Sequence, residues 1–306
     1  MAKPIKTVTR RIGFCKIEFK KGDSVVKPEL VFDHIGKLSY NKKYFPLEGG
    51  NMWDMHTIQK DKLFVTDSIK VIMGKIRKDD LPSREEKGGI YPLKLPKDSG
   101  LYEPMHFMVF PDNVAGFEYN FYGPRADSLK SYIPKKVPTL VNKVEMTPLM
   151  RRDIAERLSQ IREIRLFRLK VHKDMGGYLR DLDGNLSKAF DALKQLEDKT
   201  ESIEIILRSE RASETGITIP FVKRLTKWLS RPEVIEGVNI LKMRARDTIS
   251  EKISEFDLLG EYLLSKKEVV KVDATHRTVN TADMFAAIDE AYRELKPEIN
   301  EIIKKI

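Results

Sequence analysis

At 306 residues and 35.4 kDa, with 41% hydrophobic and 33% charged residues, the chain has a globular composition with a highly charged surface and enough length for two ordinary cores. Lys and Arg number 56 against 46 Asp and Glu, giving a net charge of +10 and a pI near 9.3, so a polyanion is the partner that the field of the protein selects. The single cysteine, Cys15, excludes an intrachain disulfide and a zinc site built on several thiolates; no apolar run reaches the ~18 residues of a membrane span, and MAKPIKTVTRR lacks the apolar core of a secretion signal, so a cytoplasmic protein without membrane contact is expected.

In chain order, Ile12 to Lys20 alternates as a strand and Lys27 to Leu38 has helical spacing, with His34 packed on its apolar face. KKYFPLEGGNMW reads as a loop in which Lys42 and Lys43 lie beside Tyr44, Phe45 and Trp53. That mixture of cations and rings is used to clamp phosphates and stack bases, and it is also what the edge of a domain looks like. Lys62 to Arg77 is β-branched and reads as one or two strands. Leu81 to Glu103, rich in Pro and Gly, reads as a surface loop or an insertion between strands.

Pro104 to Ile133 is the densest stretch of signals. HFMVF (His106 to Phe110) is a strand, Pro111-Asp112-Asn113 a turn, and the residues up to Tyr122 a return strand, so a hairpin over 106–122 is predicted. Phe117, Tyr119 and Phe121 then share one face and Gly116, Glu118 and Asn120 the other. A short helix from Arg125 to Ile133 follows, closed by Pro134. Glu118, Asn120 and Arg125 form the candidate catalytic cluster: a carboxylate supplies a base or a hard oxygen ligand, and a guanidinium neutralises an anion. Asp112 is a second candidate metal ligand beside Glu118. The plain alternative is that these groups satisfy one another and the turn backbone.

The proline-rich stretch from Pro134 to Pro148 marks the expected boundary between a β-rich domain, 1–145, and an α+β domain, 146–306. Beyond it, Met146 to Gln160 reads as a linker helix, and IREIRLFRLKVH (Ile161 to His172) as a strand with one slip near Glu163-Ile164 and with Arg162, Arg165, Arg168 and Lys170 facing outward. Met175 to Lys199 is helical and divided at Asp183-Gly184. Ser202 to Ser209 is a strand, Pro220 to Leu229 a helix, and Val238 to Arg246 a strand with Lys242, Arg244 and Arg246 on one face. If the two basic strands are neighbours, one sheet face gathers at least five cations able to track phosphates without reading bases. Toward the C-terminus, His276, Arg277 and Asn280 precede a helix from Thr281 to Leu295 with Thr281 as its cap, and PEINEIIKKI is a short amphipathic tail.

The fold class expected is therefore α+β in two parts: an N-terminal, mostly β part and a C-terminal mixed sheet covered by helices. No phosphate-binding glycine loop, GxSxG elbow, HExxH pair or CxxC pair occurs. Three functional readings stay open. The first is a nucleic-acid-binding protein, of a host-defence type, that grips DNA or RNA by its backbone. The second is a metal-dependent nuclease centred on Glu118, for which Mg2+ is the cofactor. The third is an assembly subunit that engages a protein partner or a second copy of itself.

Overall fold

The computed structural model describes residues 6–47, 50–61, 68–79, 81–97, 99–120, 122–151, 158, 161–195, 201–209, 219–229, 231–247, 253–273, 276 and 278–305. The elements run in order β1 (Thr7–Lys21), β2 (Ser24–Val26), α1 (Pro28–Gly36), α2 (Tyr40–Lys43), β3 (Phe45–Pro46), β4 (Asn51–Asp61), β5 (Ser68–Arg77), β6 (Ser83–Glu86), β7 (Gly89–Pro92), β8 (Leu101–Val109), β9 (Val114–Glu118), α3 (Ser128–Lys136) and β10 (Lys143–Pro148). The chain continues with β11 (Ile161–His172), a 3-10 turn, α4 (Gly176–Leu182), α5 (Gly184–Lys194), β12 (Ser202–Arg208), α6 (Ile219–Leu229), α7 (Pro232–Gly237), β13 (Val238–Asp247), β14 (Ile253–Asp257), β15 (Leu264–Val270) and α8 (Thr281–Ile303). This is an α+β fold, with a β-rich N-terminal half and a C-terminal region that mixes a smaller sheet with helices. Two compact units result: Met1–Met146 with Ser265–Lys296, and Thr147–Leu264 with Pro297–Ile306.

The first unit is built on a nine-stranded sheet in the order β10-β1-β9-β8-β5-β4-β3, with β2 and β15 also pairing with β1. One face packs against α1 and α3. Proline at the first position of α1 pre-sets its backbone, and Val31, Phe32 and Ile35 recur at helical spacing to meet Phe19 and Phe107. In α3, Leu129, Tyr132 and Ile133 do the same, and the helix runs past Pro134 to Lys136. The opposite face is covered by α8, whose Met284, Phe285, Ile288, Ala291 and Tyr292 are buried. Gly116 makes that approach workable: a Cβ there would stand 2.9 Å from Ile288 Cγ2 and from the Phe14 ring. Tyr292 also stacks on Phe110 and donates its hydroxyl to Asp112 at 2.8 Å.

The 106–122 hairpin forms with Asn113 at a positive φ of 58° in its turn, a conformation its short amide side chain tolerates. Its return strand ends at Glu118, earlier than the alternation predicts. Inside Leu81 to Glu103, β6 and β7 pair with each other as a hairpin whose turn places Lys87 and Gly88 at positive φ. The expected linker over 146–160 begins instead in β10, with Met150 bridging to Tyr262; most of 152–160 lies outside the described residues. The C-terminal helix runs on through Pro297 to Ile303 rather than ending at Leu295.

The second unit holds a four-stranded antiparallel sheet in the order β12-β11-β13-β14. Phe167, Leu169, Val171, Leu241, Met243, Ala245 and Phe256 alternate onto its buried face, and Phe167 meets Phe221 of α6 edge to face at 5.2 Å. Asp183 separates α4 from α5 as expected: its carboxylate accepts the backbone N–H groups of Asn185 and Leu186 and caps the second helix. The indole of Trp228 donates to the Tyr178 carbonyl at 2.8 Å, locking α6 onto α4.

Candidate nucleic-acid interface

On the second unit, β11 and β13 are direct neighbours. Their register sets Arg168 opposite Lys242 and Leu166 opposite Arg244, and on the other side of β11 it sets Leu166 opposite Arg208 and Lys170 opposite Glu204. The arginine spacing of β11 is not strictly alternate. Irregularities between Ile161 and Glu163 and between Ile164 and Leu166 absorb the offset, and they fall where the sequence slips. Arg165 occupies the second of these, Arg246 lies opposite Glu163, and Arg162 is carried by the same strand with its side chain outside the described residues.

The exposed face is therefore zoned. Arg168, Lys170, Lys242 and Arg244 stand on the two central strands, with Arg208 at the end of β12. Acids stand on the flanking strands: Glu204 pairs with Arg168, and Glu255 and Asp257 approach Lys242 at 3.5 and 3.7 Å. The Arg168 guanidinium holds the Glu204 carboxyl below its usual range. The face is thus of mixed charge, basic along its middle and neutralised at its margins. Between the strands lies a depression of about 210 Å³ with Leu166 and Ile206 in its lining and Arg168, Arg208, Lys242 and Arg244 around them. Arg208, Leu166 and Ile206 are the parts of this face that sequence reasoning missed; a terminal arginine on a strand and two solvent-facing aliphatics carry no signal until the register is known.

The other sequence candidates fall in the first unit. Glu118 is 1% exposed. Its Oε2 takes His106 Nδ1 at 2.6 Å and the His106 backbone N–H at 3.2 Å, and Oε1 lies 3.2 Å from Arg10 Nε. His106 Nε2 is 3.2 Å from the hydroxyl of Thr281, the first residue of α8. With Glu118 acting as acceptor, Nδ1 carries the proton and Nε2 accepts from Thr281. Asn280, not Thr281, caps that helix, its Oδ1 receiving the N–H groups of Ala282 and Asp283. Asn120 donates to the Pro104 carbonyl at 2.6 Å, and Arg125 lies beyond the turn, at the start of the approach to α3.

Asp112 lies in the turn before β9, and Glu118 at the far end of that strand, which itself spans about 14 Å at 3.4 Å per residue; the Asp112 carboxylate takes the Val114 N–H, Tyr292 and Lys296. The surroundings of Glu118 do not fit a divalent cation either, since an imidazole N–H, a backbone N–H and a guanidinium already face its two oxygens. Among the described residues no group of three His, Cys, Asp or Glu side chains is arranged to hold a metal ion.

Lys42 and Lys43 lie in α2, and their carbonyls accept from Lys136 Nζ at 2.8 Å and Tyr132 Oη at 2.7 Å. The rings beside them are occupied: Phe45 stacks on Trp53 at 5.5 Å, and both pack against the core. His276 pairs with Asp273, while Arg277 lies outside the described residues. Burial pushes the Cys15 thiol far above its ordinary range, which leaves it an unreactive core residue. No helix among the described residues is long and apolar enough to cross a membrane. A scan of protein-family models found none that matches this chain, and a search of curated proteins found no match.

Proposed function

We propose that the protein binds nucleic acid in the cytoplasm, gripping the sugar-phosphate backbone with the open sheet face of its second unit and without strong base readout. The observation that carries this reading is the register of β11 against β13, which lines up Arg168, Lys170, Lys242 and Arg244 on one exposed face. Alternate residues of a strand are about 6.8 Å apart and neighbouring strands about 4.8 Å, so these cations form a grid on the scale of successive backbone phosphates. The flanking acids keep the grid from acting as an indiscriminate polycation. The net charge of +10 adds long-range steering toward a polyanion.

Binding of a labelled oligonucleotide, followed by fluorescence anisotropy across a salt series, tests the reading. Wild type should weaken linearly on a log–log plot, by about 0.9 in slope per phosphate neutralised. The double reversal Arg168→Glu with Arg244→Glu should lower affinity at least ten-fold for every sequence alike and flatten that slope. Salt-independent binding, or a double variant that binds as wild type, overturns it. The same preparation, purified with nuclease treatment and weighed in solution, separates the assembly-subunit reading, which the exposed β6–β7 hairpin favours through Ile90 at 80% and Tyr91 at 47% exposure. A retained protein partner with no retained nucleic acid decides for the hairpin.

A further inference from the structure

The open face of the second unit contains a feature that a backbone-tracking surface does not require. Arg208 and Arg244 are both exposed, and among the described residues neither makes an ion pair, whereas Arg168 and Lys242 beside them are engaged with Glu204, Glu255 and Asp257. The two arginines flank one residue, Leu166, from the strands on either side of it, in register on both. Two strand spacings, roughly 10 Å, separate their backbones. The floor between them is aliphatic: Leu166 and Ile206, the latter 47% exposed, line the depression of about 210 Å³.

Building on the nucleic-acid reading, we infer that this depression is a subsite for one unstacked nucleotide, and that the protein therefore prefers single-stranded polynucleotide to duplex. A duplex presents its phosphates outward and turns its bases away, so it can meet the cations of this face but cannot cover its aliphatic floor. A single strand can splay a base onto Leu166 and Ile206, a contact that removes apolar surface from water on both sides. The planar guanidinium of Arg208 or Arg244 then stacks on the base or forks onto the adjoining phosphodiester. Among the described residues the two arginines enter that contact with no ion pair to break, although Glu255 stands opposite Arg244 in register and lines the same depression. A lysine at either position would keep the charge and lose both the fork and the stacking plane.

The test is an anisotropy titration of full-length protein with a labelled mixed-sequence strand of roughly 20 nucleotides, as RNA and as DNA, each alone and annealed to its complement, at about 150 mM salt. The proteins are wild type and the charge-preserving Arg208→Lys/Arg244→Lys, whose fold is verified by circular dichroism. Wild type should favour the single strand by about ten-fold, and the lysine pair should bring single strand and duplex to within about two-fold, the larger loss falling on the single strand. Equal wild-type affinity for single strand and duplex, or a lysine pair that keeps the preference, overturns the subsite and leaves backbone binding standing. Failure of every probe to bind wild type removes the nucleic-acid reading itself. A preference confined to RNA or to DNA upholds the subsite and identifies which sugar it accepts.

Discussion

Two sheet faces in this protein carry ionisable side chains, one in each unit, and burial sets them apart. Beneath α8, the row Arg10, Glu118, His106 and Lys70 crosses four strands; Glu118 and His106 are 1% exposed and Lys70 is 6%, with its ammonium 5.7 Å from the Phe285 ring. Across β12, β11, β13 and β14, a comparable set of charges faces water. In the first row Glu118 and Lys70 are removed from solvent and Arg10 is partly so, and their partners decide whether such charges can be there at all. In the second, solvent screens every pair, and the charges contribute little to folding and are available to something else. A charged residue type in a strand thus says little until its exposure is known. The most conspicuous carboxylate of the sequence lies buried against His106 and Arg10, whereas unremarkable arginines make the surface.

The comparison is broken most directly at Glu118. Glu118→Ala leaves His106 and Arg10 facing a buried void, and stability should fall by about 3–5 kcal/mol, as for one partner removed from a buried pair. Glu118→Gln, which keeps the volume and one acceptor, should lose less, about 1–3 kcal/mol. Denaturant melts measure both, and an Arg168→Glu control on the open face should stay within about 0.5 kcal/mol of wild type. Equal losses at the two sites would mean that burial does not separate them.

A pH series sharpens the same contrast at Asp54. This residue is 1% exposed, its Oδ1 has no hydrogen-bond partner among the described residues, and burial raises its carboxyl above the ordinary range against the opposing pull of His56 and Lys43. A raised folded-state value means that the folded protein holds a proton the unfolded chain has released. The stabilisation is full below the unfolded value of about 3.9 and is lost as pH rises through the folded one. Asp54→Asn should remove that slope and raise the melting temperature at neutral pH. A variant whose midpoint falls in parallel with wild type from about pH 4 to pH 7 would show that the carboxylate is satisfied in the folded state.

Local patterns carried much of this fold. The hairpin turn at Pro111 to Asn113, the division at Asp183 and the alternation of β11 and β13 are legible because each depends on neighbours in sequence. The slip in β11 was legible as well, although the irregularities behind it were not. What could not be read depends on distant pairing. Ser265–Lys296 joins the first unit because β15 pairs with β1 and α8 supplies the cover for Phe14 and Gly116. Glu118 reads as a candidate site because it is an acid on a glycine-flanked strand face, and only the fold shows that it meets His106 and Arg10, with His106 in turn meeting Thr281. The last helix is expected to end at Leu295, yet it passes through Pro297 to Ile303; a proline there forfeits a single backbone hydrogen bond while the flanking turns persist.

The finest distinction lies within the open face itself, between its central cations and its marginal acids. Glu204 and Glu255 stand on opposite flanking strands, each beside a central cation, Arg168 and Lys242. If they merely stabilised the sheet, their removal would lower the melting temperature and leave binding alone. If they act as internal counterions, a polyanion must displace them before it can engage those two cations, and their removal should strengthen binding. The pair Glu204→Gln/Glu255→Gln keeps side-chain size and should raise affinity for an oligonucleotide about two- to five-fold, with a steeper salt dependence and an unchanged melting temperature. The sign follows from linkage: the Arg168 partnership lowers the Glu204 carboxyl, so the acid competes throughout the neutral range and releases Arg168 only when the pH falls through that depressed value. Affinity that stays at the wild-type level in the variant would mean that the ligand does not reach Arg168 and Lys242, and would confine binding to Arg208 and Arg244 at the other end of the depression.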